Sequence, residues 1–488
     1  MRYKLLLIAL CCAITASAQG IRHSVIGTTV KADDGSLTIT SVDKRQNFAG
    51  GPTHEPDINS PKSVNIHPNG KKYYVNSLEG CCTVVFEMGT NKKLKTIRHH
   101  FDGSEKELWS TPSSLYPFTH YTHDLNRFDG KPVEGCFTHG GRYFWVPYYR
   151  RSYDINAQDP SALAVIDTQT DDIILLMETG PLPKMIAASH DGKYVAVTHW
   201  GNNTVGLIRV DSANPRDWHH EEVLVVDYVL PLNFSLRGAV NRDVNSGYCL
   251  RGTVFTPDDK YLLVGCMGGA GGIAVIDVQA RKYLGRMLGM RGNVRHLVIK
   301  DGLLYLSINN AGYVQRMPLE KFLDAARAIS SKTGIVSGWQ ECAVGGGART
   351  IEISPSGKFV FAACNSASGV YVVNTKTMKT IAHIACDSYP VGLDLSRDGK
   401  YVIVTSQGKR GGGGNAVNIY SVEYAEPEPV AAAPEMPASA TDSVAPDSTI
   451  TDSKVTVVEG IDSKWLYIGG GALVLLILLA LIMRRRKK

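Results

Sequence analysis

Between Ala348 and Cys386 apolar and polar positions fall into four short runs. Thr350 to Ile353, Lys358 to Ala363, Val370 to Val373 and Lys379 to Ile384 are rich in β-branched and aromatic residues. Pro355-Ser356-Gly357, Asn365 to Gly369 and Thr375 to Met378 separate them. Apolar runs of this length, punctuated by Gly, Pro, Asn and Ser, predict four strands joined by tight turns. One four-stranded sheet cannot bury both faces, so the pattern also predicts neighbours of the same kind.

Seven copies of the pattern are present: Pro61 to His99, Lys131 to Gly180, Leu182 to Asp227, Leu250 to Met290, Asn293 to Gly345, Ala348 to Cys386 and Tyr389 to Tyr424. Each turns from its first run to its second through a short polar stretch. His67-Pro68-Asn69-Gly70-Lys71, Ser189-His190-Asp191-Gly192-Lys193 and Ser396-Arg397-Asp398-Gly399-Lys400 are examples. A period of about forty to fifty residues is that of propeller blades. The expected fold is all-β, a seven-bladed β-propeller over 19–424. The seventh copy runs into Glu426-Pro427-Glu428-Pro429, which cannot continue a ladder. A strand from Val25 to Val30 or Leu37 to Val42 is expected to supply its fourth strand and close the ring. In the fifth copy Leu319, Phe322, Leu323 and Ala326 share one helical face after Pro318, which predicts a short helix.

The ends carry other signals. Arg2 and Lys4, the apolar run Leu5 to Ile14 and Ala16-Ser17-Ala18 form a signal peptide over 1–18. Residues 425–463, rich in Pro, Ala, Ser, Thr and Asp, read as a disordered stalk. Residues 464–483 read as one transmembrane helix, and the basic tail 484–488 places its far end in the cytoplasm. The expected location is the inner membrane, single-pass, with the propeller on the periplasmic side. Leaving out the five charges of the tail and the two of the leader turns the formal +6 into −1, so the exported body carries no electrostatic signature of a nucleic-acid partner. Eight cysteines remain outside the leader, in a compartment that permits disulfides, and their spacing specifies no pairing.

Pro355-Ser356-Gly357-Lys358 followed by a Val-rich strand, and Gly369-Val370-Tyr371-Val372-Val373-Asn374-Thr375, resemble the exported YVTN-type (YncE-like) β-propeller repeats. That family resembles, more distantly, the lactonase-type and d1-haem propellers. The resemblance covers Pro61 to Tyr424 and implies a fold, not an activity.

Superposing the copies on their turn residues gives one position per blade at the mouth of the first strand. These are Lys62, Glu134, Lys184, Arg251, Arg295, Arg349 and Val391. Five of the seven are basic and one is acidic, which predicts a ring of cations that focuses the field on an anion. Arg150, Arg151, His199 and Trp200 are placed with them on the ligand face. The inserts Phe101 to Gly130 and Tyr228 to Tyr248, with Trp109, His120, His123, Arg237 and Arg242, read as a partial lid. His199, Cys266 and Cys364 occupy equivalent positions at the end of the second strand, a pattern that suggests a metal, as does the i, i+3 pair His120 and His123. No cofactor is expected. Gly411 to Gly414, with Lys409 and Arg410, lacks the context of a phosphate loop. These readings converge on a non-enzymatic binding or scaffold module for an anionic small molecule, a glycan or an envelope protein. A lactonase-like hydrolase is the alternative at the same mouth, and a redox propeller with a non-covalent cofactor is a third.

Overall fold

The computed structural model describes residues 22–116, 126–231, 240–408 and 415–431. The expected leader at 1–18, the expected transmembrane stretch at 464–483, His120, Tyr121, His123, Arg237 and the glycine run 411–414 lie outside them. Among the described residues no helix is long and apolar enough to cross a membrane.

Among the described residues the strands form seven sheets, one per predicted copy, antiparallel throughout except where Thr333–Ile335 adds a parallel edge strand to Lys282–Leu288 of blade four. Blade one consists of Pro61–Ile66, Lys72–Ser77, Cys82–Glu87 and Lys93–Arg98, in sequence order. The polar turn between first and second strands needs one left-handed residue. Gly70, Gly192, Gly302, Gly357 and Gly399 supply it at φ 70–73°, and Asp259 takes the same place in blade four at φ 54°. First strands of successive blades pack side by side, and those of blades seven and one complete the circle. Seven apolar clusters each join two adjacent blades. The core of this protein is therefore between sheets, which is why no blade is stable alone.

Blade seven is closed as expected, by an N-terminal strand. Leu37–Gln46 pairs with Ala416–Tyr424 from Leu37 opposite Tyr424 to Gln46 opposite Ala416, and Thr29–Lys31 adds a fifth strand outside it. Lys44 Nζ, 3.0 Å from the buried Asp387 carboxylate, and Ser24 Oγ, donating to Asp387 Oδ2 at 2.9 Å, fasten this N-terminal segment to the last blade. The predicted helix forms at Leu319–Arg327 and buries Leu319, Phe322, Leu323 and Ala326.

Two expectations change. The insert Phe101 to Gly130 is not simply a lid: His100–Asp102 and Arg127–Pro132 pair as a hairpin that widens blade two, because Phe101 and Phe128 pack against Tyr148. The stalk segment also begins bound. Glu426 meets Lys358 Nζ at 2.6 Å, and the Glu428 carboxylate accepts from Ser356 N and Oγ at 2.7 and 2.6 Å. These contacts lie on the turn face of the propeller, opposite the face where each first strand begins. All eight cysteines are free thiols, including adjacent Cys81 and Cys82.

Candidate functional site

Each first strand enters the channel through the same device. The residue before the strand is left-handed in six blades: Ser60, Leu182, Cys249, Asn293, Gly347 and Tyr389. The pairing with the second strand then slips immediately after the first residue, between Pro61 and Val64, Pro183 and Met185, Leu250 and Thr253, Val294 and His296, Ala348 and Ile351, and Pro390 and Gly392. A bulge re-aims the side chain at its centre. The residues it re-aims are Lys62, Lys184, Arg251, Arg295, Arg349 and Val391.

A hydroxyl from the second strand holds this geometry. Thr405 Oγ1 accepts from Gly392 N at 2.9 Å in its own blade and donates to the Lys62 carbonyl of blade one at 2.9 Å. Ser307 Oγ does the same between His296 N and the Arg349 carbonyl, at 3.0 and 2.5 Å. Thr198 Oγ1 links Met185 N and the Arg251 carbonyl at 3.2 and 3.4 Å. Each hydroxyl couples one bulge to the next around the ring.

The five cations act on one another. Burial and then Arg349 hold the Lys62 ammonium well below the ordinary lysine range. Lys184 is held down by burial, then Arg251, Lys62, Arg295 and Arg349. Burial and then Arg349 lower Arg295, and burial and then Arg251 bring Arg349 down to about 10. One acid stands among them: Glu134 Oε1 accepts from Arg251 Nη2 at 2.7 Å. Blade seven, which contributes no charge at Val391, contributes Tyr389, whose side chain acts on Arg349. The Nε atoms of Arg295 and Arg349 are buried and have no partner among the described residues.

Around the ring the other predicted residues separate. Arg150 faces the rim, where its Nη1 lies 3.4 Å from Asp243 in the second insert, a carboxylate that also feels Lys62. Trp200 flanks the ring, with Lys184 Nζ 5.1 Å from its ring centre and 3.7 Å from that of Tyr149. Arg151 is not at the mouth. Strand alternation turns it into blade two, under Trp109 and Phe128, with Nη2 donating to the Ser161 carbonyl at 3.2 Å. His199 is not at the mouth either. It is fully buried between blades two and three, its ring nitrogens 2.8 Å from Thr179 Oγ1 and Thr204 Oγ1, and burial takes its pKa down to about 3. Cys266 sits in the cluster between blades three and four and Cys364 in the one between five and six, so the three do not converge. Among the described residues no set of three metal-ligating side chains comes together.

Below the ring the channel holds a cavity of about 300 Å³, lined among others by Asn65, Glu134, His296, Glu352 and Asp394. Glu352 and Asp394 come from neighbouring first strands, three residues below Arg349 and Val391. Burial and then the neighbouring Asp394 raise Glu352 well above the usual carboxyl range. Burial pushes Asp394 up to about 7, although its Oδ2 accepts from Ile66 N at 2.6 Å. The channel thus runs from a cationic layer to two acids whose burial favours the neutral carboxyl. This lower layer, the hydroxyl links and Tyr389 were not read from sequence, whereas Tyr149 was read only as part of the Tyr148-Tyr149-Arg150-Arg151 segment on the ligand face. The penultimate Thr or Ser in otherwise Val-rich second strands, as in Val402-Ile403-Val404-Thr405, is the signal that marks the hydroxyls.

The chain matches no protein-family model, and no curated protein matches it. Among solved structures it is similar to hydrazine synthase of Kuenenia stuttgartiensis, at TM-score 0.51 and 13% identity over 74% of this chain and 96% of that one. It is also similar to the β-propeller domain of Cps50 (Swd1) from Myceliophteria thermophila, at TM-score 0.50 and 10% identity over 78% of this chain and 100% of that one. Both likenesses are of fold. The chain is a seven-bladed β-propeller, a scaffold suited to a binding module.

Proposed function

We propose that this propeller is a binding module that captures an anionic group, a carboxylate or a phosphate, at the cationic mouth of its channel. The carrying observation is the imbalance of charge on the axis. Five basic side chains meet there, and Glu134 is the one acid that pairs with a member of the ring at hydrogen-bond distance among the described residues. Mutual repulsion and desolvation burden this arrangement in the free protein, and an anion relieves both. The charged-fork geometry of three arginines suits carboxylate and phosphate oxygens.

The YVTN-type resemblance supports an exported module, as do the leader, the apolar stretch 464–483 and the basic tail. In that reading the propeller is tethered on the periplasmic side of the inner membrane. The bound segment 425–431 lies on the turn face, opposite the cationic mouth, and in this reading the mouth takes soluble ligands or envelope proteins.

Calorimetric titration with inorganic phosphate and with citrate tests the reading. Binding is expected for the parent protein, and for Arg251→Ala/Arg295→Ala/Arg349→Ala a loss of binding with the fold retained. Equal affinity in the triple variant overturns it.

A further inference from the structure

Lys184 differs from the other members of the ring. It is the buried one of the ring's two lysines, 8% exposed, and like Lys62 its ammonium has no hydrogen-bond acceptor or carboxylate partner among the described residues. Its walls are the faces of Tyr149 and Trp200, at 3.7 and 5.1 Å from Nζ. Trp200 Nε1 beside it is buried and also unpartnered, a donor with no oxygen to receive it. The charges acting most strongly on Lys184 are all positive: Arg251, Lys62, Arg295 and Arg349. Lys62, by contrast, is eased by Glu134. Cys249 also faces the group, its thiol held up by burial.

We propose that Lys184 is a nucleophilic amine that condenses with the carbonyl of an oxo-carboxylate, whose carboxylate is held by Arg251, Arg295 and Arg349. This rests on the anion-binding reading and deepens it by naming the ligand class. A lysine becomes nucleophilic at neutral pH when it is desolvated or placed beside other cations, and this site does both. In the step, the Nζ lone pair attacks the carbonyl carbon. The carbonyl oxygen takes up protons, including those lost from Nζ, and leaves as one water, so a carbon–nitrogen double bond replaces the carbon–oxygen one with no oxidant or reductant. The aromatic walls keep bulk water from the imine, and Trp200 Nε1–H is placed to donate to an oxygen of the bound ligand.

The test is trapping on the full chain. The protein is incubated with pyruvate or 2-oxoglutarate and sodium cyanoborohydride near neutral pH, then digested and mapped by mass spectrometry. The expected product is one modified lysine, Lys184, heavier by the mass of the keto acid less one oxygen atom. Each unit by which its pKa lies below that of a surface lysine raises the free-amine fraction about ten-fold, so labelling at Lys184 is expected to exceed that at any exposed lysine by about ten-fold or more. The non-carbonyl analogues lactate and 2-hydroxyglutarate are expected to bind the parent protein without forming an adduct, and Lys184→Arg is expected to lose the adduct formed with the keto acids. If the analogues bind the parent protein and labelling is spread evenly over exposed lysines, the condensation is overturned and the anion reading stands. If neither analogue nor keto acid binds, both fail. The parent map needs no variant, so misfolding of Lys184→Arg cannot obscure the result.

Discussion

Replacing Glu134 with Gln is expected to weaken the fold and strengthen the site. Glu134 Oε1 lies 2.7 Å from Arg251 Nη2, with side chains 13% and 4% exposed. Breaking a buried ion pair from one side costs about 3–5 kcal/mol, and Gln retains an acceptor, so the lower end, about 3 kcal/mol, is the expected loss of unfolding free energy. The same change removes a negative charge beside the bound anion. At an effective dielectric of about 20 and a separation of about 8 Å that repulsion is worth about 2 kcal/mol, or roughly thirty-fold in Kd. The two effects are read separately, by denaturant titration and by calorimetry with phosphate. Phosphate at about 100 times its Kd should return about 2.7 kcal/mol of the lost stability. Phosphate binding that is unchanged or weaker in Glu134→Gln refutes the reasoning, because an axis with one acid fewer cannot be a poorer anion site on electrostatic grounds.

Thr405→Val preserves shape but strands Gly392 N and the Lys62 carbonyl, both served by one buried hydroxyl; a loss of about 2–4 kcal/mol is expected in chemical denaturation, with weaker phosphate binding as the bulge loosens. Burial, with neighbouring cations next, depresses Lys62 and Lys184 below the ordinary value of 10.5, so between the folded and unfolded values the unfolded chain holds more protons. Stability therefore rises with pH in that window and is lost on acidification through the depressed values, and phosphate binding should take up protons, seen as a dependence of calorimetric enthalpy on the buffer's ionisation enthalpy. Asp394 has the opposite sign: its folded value is raised from 3.8 to about 7, so stability falls as pH rises between them, and Asp394→Asn should flatten that slope in thermal scans at several pH values. Phe322→Ala, at a fully buried ring under the helix, should cost about 3–5 kcal/mol without changing phosphate affinity.

The blades were legible because their signal is local and repeated. A run such as Lys358 to Ala363 between Gly357 and Asn365 states its own strand, and seven copies state the ring. Closure by an N-terminal strand followed from the missing fourth strand in copy seven. Its placement at Leu37–Gln46 depended on which run could align with Ala416–Tyr424 over their whole length. The mouth positions were legible for the same reason, since equivalent places in a repeat converge on one axis. Arg151 and His199 show the limit. Sequence put them near the mouth, but strand alternation and the packing between blades two and three turned both inward.

Sequence by itself therefore determined the blade, its count, the need for an N-terminal closing strand and the row of Lys and Arg at the first-strand entries, because each depends on short-range pattern multiplied by repetition. Tertiary structure alone decided what that row became. Side chains more than two hundred residues apart, such as Lys62 and Arg349, act on one another only once the ring is closed and the bulges turn them inward. Their cost, the pairing of Arg251 with Glu134, the aromatic walls of Lys184 and the Glu352–Asp394 layer are products of distance and burial. Neither quantity is written in the order of residues along a chain.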